Sequence, residues 1–242
     1  ATSVSNIAPE PKVSFTFDDG LDSVITHAAP TLAKYGFPGT SYVIADCPGT
    51  QGTCNANPDA TYMNWEQILQ IRDKYGWEIG AHSLTHPVFS KLTENEQDHE
   101  LSKSKKILAE HGVDARAFAT PYGDYNHRTL ALAAKYYESH RGFWDRGLNR
   151  WPYNDYLLSV QQVQAGVSVE QVQRYIDSAI VNRQWLVLVF HDIKDVPSDN
   201  PDDFEYGTGD LDSIASYVKQ RDVRVTTVSD GLITSSGDKI FG

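Results

Sequence analysis

Cysteine, positive charge and long apolar runs are all scarce in this chain. Its two cysteines, Cys47 and Cys54, do not form a C-x-x-C pair, which argues against a dithiol redox motif and against a cysteine metal site. Lysine and arginine number 21 against 32 aspartates and glutamates, a formal net charge of −11. That balance repels phosphate backbones and speaks against a nucleic-acid partner. No stretch approaches the roughly 20 apolar residues of a membrane span; the longest strongly apolar run, Trp185 to Phe190, is strand-sized. There is no internal repeat, and no Pro/Ser/Gly-rich break interrupts Lys12 to Val228. One domain over residues 1–242, with its core at about 12–230, is therefore expected. The polar start Ala1 to Ser5 lacks a signal-peptide apolar region and reads as a mature or trimmed terminus.

The cysteines lie seven apart in a loop-like stretch rich in Gly, Pro and Thr. With no other thiol available, the expectation is a disulfide that pinches this loop, the alternative being two free thiols. A bridge would imply an oxidising compartment, and hence a secreted or extracytoplasmic protein.

What the chain does have is a regular cadence of strand-like and helical segments. Strands are expected at Lys12–Phe17, Ser41–Ile44, Glu78–Ala81, Ala115–Ala119, Tyr137–Phe143, Leu157–Val160, Trp185–Phe190 and Val223–Val228. Helices are expected at Leu21–Tyr35, Asn64–Tyr75, Glu94–His111, Asn126–Tyr136, Ser168–Asn182 and Asp210–Gln220. Repeated β-then-α units predict a parallel sheet covered by helices, and seven or eight of them in one domain suggest closure into a barrel. An open doubly wound sheet is the alternative. In either case the polar clusters Asp18-Asp19, His82, Thr120-Pro121-Tyr122 and His191-Asp192 fall at strand C-termini, the face on which such folds build their sites.

His82 and His86 stand four apart, a spacing that lets two imidazoles converge on one ion. Alone, that spacing fits an incidental pair on a polar turn equally well. Asp18 and Asp19 follow a buried-looking strand, where adjacent carboxylates repel unless a cation stabilises them. Helix capping explains one of them but not both. Two histidines and a carboxylate with an open position form the ligand pattern of hydrolytic zinc sites, and the set also suits other divalent ions. His191 ends another strand, where it either protonates a leaving group or merely closes the strand.

Thr16-Phe17-Asp18-Asp19-Gly20, His82-Ser83-Leu84-Thr85-His86, Pro121-Tyr122-Gly123 and Val189-Phe190-His191-Asp192 occur in an order that resembles carbohydrate esterase family 4, the NodB-homology polysaccharide deacetylases. The resemblance runs from about Val13 to Val228. It implies an α/β fold, a distorted (β/α) barrel of about seven parallel strands. It also implies a divalent metal, zinc or alternatively cobalt, nickel or manganese, held by Asp19, His82 and His86. Asp18 would be the general base, the Tyr122 backbone N–H an oxyanion donor, and His191 the general acid. Pro121, Tyr122 and Val189 would meet the substrate, with Val189 shaping the pocket for the acetyl methyl.

Two departures stand out. The arginine that the family places two residues before the motif proline, to orient the base, is Ala119 here, and the family's aspartate-tryptophan motif has no clean match. Arg141 and Asp145, from the next strand, are candidates for the missing roles, with Arg146 in reserve. Trp65, Trp144, Trp151, Tyr153, Tyr156 and Tyr125 are candidates for stacking on sugar rings. The expected partner is an acetylated polysaccharide, most readily an N-acetylglucosamine polymer such as chitin, peptidoglycan or exopolysaccharide. An acetylxylan esterase, and an inactive carbohydrate-binding module on the same fold, are the competing readings. The sequence does not speak to oligomeric state.

Overall fold

The computed structural model describes residues 8–50, 54 and 59–232. Seven parallel strands make the central barrel: β1 Lys12–Phe17, β2 Thr40–Val43, β3 Glu78–Ala81, β4 Ala117–Ala119, β5 Ser139–Arg146, β6 Leu158–Gln162 and β7 Trp185–Phe190. Closure is direct, since β1 pairs with β7 from Lys12↔Trp185 to Phe17↔Phe190. The other edge of β1 is shared. Its C-terminal half pairs with β2, and its N-terminal half pairs with the short β10, Arg224–Val225. A separate parallel pair, β8 Asp192–Lys194 and β9 Glu205–Gly207, projects from the end of β7.

Strand periodicity divides the apolar residues into two cores. Val13, Phe15 and Phe17 of β1, with Leu186, Leu188 and Phe190 of β7, face outward into the layer beneath the helices. Trp185, Val187 and Val189 face the barrel interior with Tyr42, Ala117, Ala119, Leu158 and Val160. The same alternation turns Lys12, Ser14, Thr16 and Asp18 inward, so the last of that series arrives at the top of the barrel. At the bottom, Lys12 Nζ bonds the Gly231 carbonyl and lies over the Tyr153 and Trp185 rings. Burial first, then Arg224, lowers its pKa to about 8.

The helices are α1 Ala29–Ala33, α2 Trp65–Tyr75, α3 Glu94–Glu110, α4 His127–Tyr136, α5 Val169–Asn182, α6 Thr208–Gln220 and α7 Val228–Leu232. Reciprocal capping boxes start α2 at Asn64, α3 at Thr93 and α4 at Asn126, and the Ser168 side chain caps α5. On α5, Val172, Ile176 and Ala179 are buried at helical spacing; each of the two larger side chains contributes about 2 kcal/mol by burial.

Two expectations change. The helix expected over Leu21–Tyr35 is shorter and irregular, a π turn at Val24–Ala28 running directly into the short α1, in which Pro30 has no N–H to donate to the α ladder. The last strand shortens from Val223–Val228 to two residues, because the chain turns into α7 when the Val228 N–H donates to Thr40 Oγ1. Cys47 and Cys54 are bonded, with Cα atoms 5.5 Å apart.

Candidate active site

Four loops at the C-terminal ends of β1, β3, β4 and β7 converge over the barrel. Asp18 N–H donates to Phe190 O at 2.9 Å, which ties the end of β1 to the end of β7. The backbone then turns through left-handed Asp19 (φ 75°) and Gly20 (φ 77°). After β3, the His82–His86 loop passes through left-handed Ser83 and His86. Of the six described non-glycine residues with such φ, four surround this site, the distribution expected where surrounding structure holds strain at a functional centre.

Glu100 of α3 explains how the second loop is held. Its carboxylate accepts from the N–H groups of Leu84 and Thr85 at 3.0 and 2.9 Å and from Thr85 Oγ at 2.7 Å. His86 N–H is taken up by Ser83 Oγ at 3.0 Å. Nδ1 of His82 donates to the Ala119 carbonyl at 2.8 Å, which leaves the Nε2 lone pair facing the site.

Nε2 of His82 and Nε2 of His86 each lie 3.3 Å from Asp19 Oδ1, and one ligand atom from each of the three residues falls within 4.8 Å of the others. Asp19 Oδ1 is buried and receives no hydrogen bond in acceptable geometry from the described residues. A buried carboxylate oxygen without a donor, facing two imidazole nitrogens, suits a divalent cation. Burial pushes the Asp19 carboxyl up, but His82, His86 and His191 outweigh it and hold the group well below its ordinary range.

Behind these groups, Asp18 is buried and paired with Arg141. Nη1 donates to Asp18 Oδ2 at 3.1 Å and Nη2 donates to Oδ1 at closer range, a two-point pairing. Arg141 comes from β5, where it is the register partner of Ala119 on β4. The inward position that lacks an arginine on one strand has one on its neighbour. The guanidinium rests 4.5 Å above the Tyr42 ring and lies 3.3 Å from Thr16 Oγ1. The Tyr42 ring in turn needs Gly80, where a Cβ would stand 2.7 Å from Tyr42 Cδ1. Burial raises the Asp18 pKa, but Arg141, His82 and His191 together hold it below the usual value. Nε2 of His191 lies 3.8 Å from Asp18 Oδ2. Burial outweighs the attraction of Asp18 and Asp19 and holds the His191 pKa below the ordinary histidine value.

These groups open into a cleft of about 660 Å³. Tyr122 and Trp144 stand on its wall, half or more exposed, and Pro121 is the buried first residue of the turn that carries Tyr122. The other expected contacts are elsewhere. Val189 lies in the barrel interior below the cleft, because inward positions of β7 alternate and the next one up is His191. Tyr125 donates its hydroxyl to Asp145 at 2.8 Å, and neither residue lines the cleft. Arg146 bonds Gln162 Oε1 at 3.0 Å instead of approaching Asp18. Trp65 stacks on His111, Trp151 and Tyr153 pack near the barrel floor, and Tyr156 bonds the Tyr137 carbonyl.

Sequence reasoning missed Glu100, Phe143, Phe204 and the β8–β9 pair, all of them loop anchors or cleft walls. The acidic and aromatic residues of 202–205 were the only signal for the last two.

The sequence profile described as Polysaccharide deacetylase matches residues 5–137. Over 124 residues the chain is 29% identical to YxkH of Bacillus subtilis (strain 168), a match covering 51% of this chain and 41% of that protein. The chain spans less than half the length of the curated relatives it matches. Among solved structures, the family 4 carbohydrate esterase from Streptomyces lividans in complex with acetate superimposes with a TM-score of 0.59. The two are 21% identical, and the superposition covers 90% of this chain and 93% of that one. A family 4 pseudoenzyme from Bacillus anthracis superimposes at 0.61, with 16% identity and coverage of 93% and 66% respectively. These likenesses establish the fold as the closed β/α barrel of those proteins.

Proposed function

Because the chain belongs to the polysaccharide deacetylase family, we propose that it is a metal-dependent hydrolase that removes acetyl groups from a polysaccharide. The observation that carries this reading is the meeting of two arrangements at one cleft: the Asp19, His82 and His86 ligand set, and the buried Asp18 bound at two points by Arg141.

Asp19, His82 and His86 would hold a divalent cation, zinc being the first candidate and cobalt, nickel or manganese the alternatives, which would supply acidity to a water and polarise the acetyl carbonyl. Asp18, kept ionised by Arg141, takes the proton of the attacking water. The Tyr122 N–H donates to the oxygen on which negative charge develops. His191, at the cleft and 3.8 Å from Asp18, in its protonated form delivers a proton to the departing sugar nitrogen or oxygen, and the proton taken up by Asp18 is then released to balance it.

An N-acetylglucosamine polymer is the proposed substrate. Amide cleavage demands a well-oriented base as well as a proton donor for the nitrogen, and Arg141 gives Asp18 the cation that Ala119 does not. The disulfide between Cys47 and Cys54 fits work outside the cytoplasm. The presence of Asp18, Asp19, His82, His86 and His191 together argues against an inactive carbohydrate-binding module.

The test offers acetylated chito-oligomers and acetylated xylo-oligomers side by side to the zinc-loaded protein and identifies the products by mass spectrometry. Loss of acetyl from the chito-oligomers is expected. Loss from xylo-oligomers alone would make it an esterase, and binding without loss from either would make it a module.

A further inference from the structure

The turn carrying Tyr122 is strained, and something must hold it. Tyr122 has φ 57° and ψ 7° within the 3₁₀ turn Pro121–Gly123, a left-handed conformation that costs a non-glycine residue about 1–2 kcal/mol. On either side, Gly123 N–H donates to Thr120 O and Asp124 N–H to Pro121 O, whereas no acceptor for the Tyr122 N–H is found among the described residues. Among the described residues, the group that grips Tyr122 itself through its backbone is Trp144, whose Nε1–H donates to the Tyr122 carbonyl at 2.9 Å. Gly123 adds a seat against the same strand, since a Cβ there would stand 2.6 Å from Phe143 Cβ and N. Trp144 is nonetheless 63% exposed, with Tyr122 beside it 50% exposed.

We infer that Trp144 is a positioning residue for the oxyanion donor: its indole N–H holds the Tyr122 turn in its left-handed conformation, and its exposed face takes a sugar ring, so that substrate seated on Trp144 stiffens the donor. This rests on the reading of Tyr122 as that donor. A flat indole whose edge is already bonded to the turn offers a ring face to the C–H surface of a sugar, and anything that immobilises the ring immobilises the carbonyl it holds. Binding energy from a sugar unit away from the reacting acetyl group is thereby spent on transition-state geometry, which raises kcat as well as lowering KM.

The experiment compares wild type with W144F and W144A in steady-state acetate release from an acetylated chito-oligomer, together with thermal unfolding and zinc titration of each variant. W144F keeps an aromatic face, though a smaller one, and removes the N–H. It is expected to lower kcat about tenfold, the scale of one lost hydrogen bond, with KM within about twofold of wild type. W144A is expected to lower kcat similarly and to raise KM about tenfold as well. Unchanged kcat in W144F, or a change confined to KM, would overturn the positioning role while leaving the activity standing. A fall in kcat matched by lost zinc uptake or a large drop in Tm would assign Trp144 to stability and also overturn it. Absence of acetate release by zinc-loaded wild type would remove the underlying reading, and this inference with it.

Discussion

Arg141 is the residue on which the site turns. It and Asp18 are both buried, and neither is stable there without the other. R141A is expected to cut turnover about a hundredfold while zinc affinity, measured by titration, changes less than about threefold, because the guanidinium bonds Asp18 and not Asp19, His82 or His86. Since Ala119 and Arg141 are register partners facing the same interior, the double variant A119R/R141A should recover part of the loss. Equal turnover in R141A and wild type would contradict the assignment. His140 makes a second prediction. Its Nδ1 meets the Tyr156 carbonyl at 2.8 Å and its Nε2 pairs with Thr120 Oγ1. Burial first, and Arg141 to a lesser extent, lowers its pKa to about 4, against 6.5 for a free histidine. The folded chain therefore binds a proton here less readily than the unfolded chain does. Stability on this account is full above pH 6.5 and falls as pH drops through 6.5 toward 4, by about 3 kcal/mol in all. Urea midpoints at pH 7, 5 and 4 should show this loss in wild type and a smaller one in H140Q.

Among the elements, the site depends on how tightly β2, β3 and β5 pack inside the barrel. Gly80 on β3 admits the Tyr42 ring of β2, and that ring carries the Arg141 guanidinium of β5. G80A is expected to cost about 1–3 kcal/mol, read as a lower denaturant midpoint at unchanged slope, and to lower turnover by displacing Arg141. G209A, at a position with open space around it, should do neither. Most elements were legible because apolar periodicity and caps agreed, as at Asn64 and Ser168. The failures have local causes: Pro30 withholds an N–H from a helix that runs partly as a π turn, and Thr40 draws Val228 out of the expected strand. The pairing of Ala119 with Arg141 was not legible in itself, because the residues are visible in the sequence whereas their register is not. Glu100 was hidden for a related reason, since its partners are backbone N–H groups more than a turn of helix away in sequence.

For the whole molecule, barrel closure brings Asp18, Asp19, His82, His86, Tyr122 and His191 from four separate strand ends to one cleft. The candidate ligands and candidate base stood out in the sequence because Asp18, Asp19 and His82 come directly after their strands and His86 stands four residues after His82. The cleft walls did not, because Phe204 and the β8–β9 pair reach the site through a loop whose path no periodicity fixes. What unites the molecule chemically is the buried Asp19 oxygen 3.3 Å from each of two imidazole nitrogens. The most direct test strips the protein with a chelator, confirms the metal content, and measures acetate release from an acetylated chito-oligomer before stripping, after it, and after one equivalent of zinc is returned. Activity should disappear with the metal and return with zinc in wild type, but not in H82A or D19A. An undiminished rate in the metal-free protein would contradict the account.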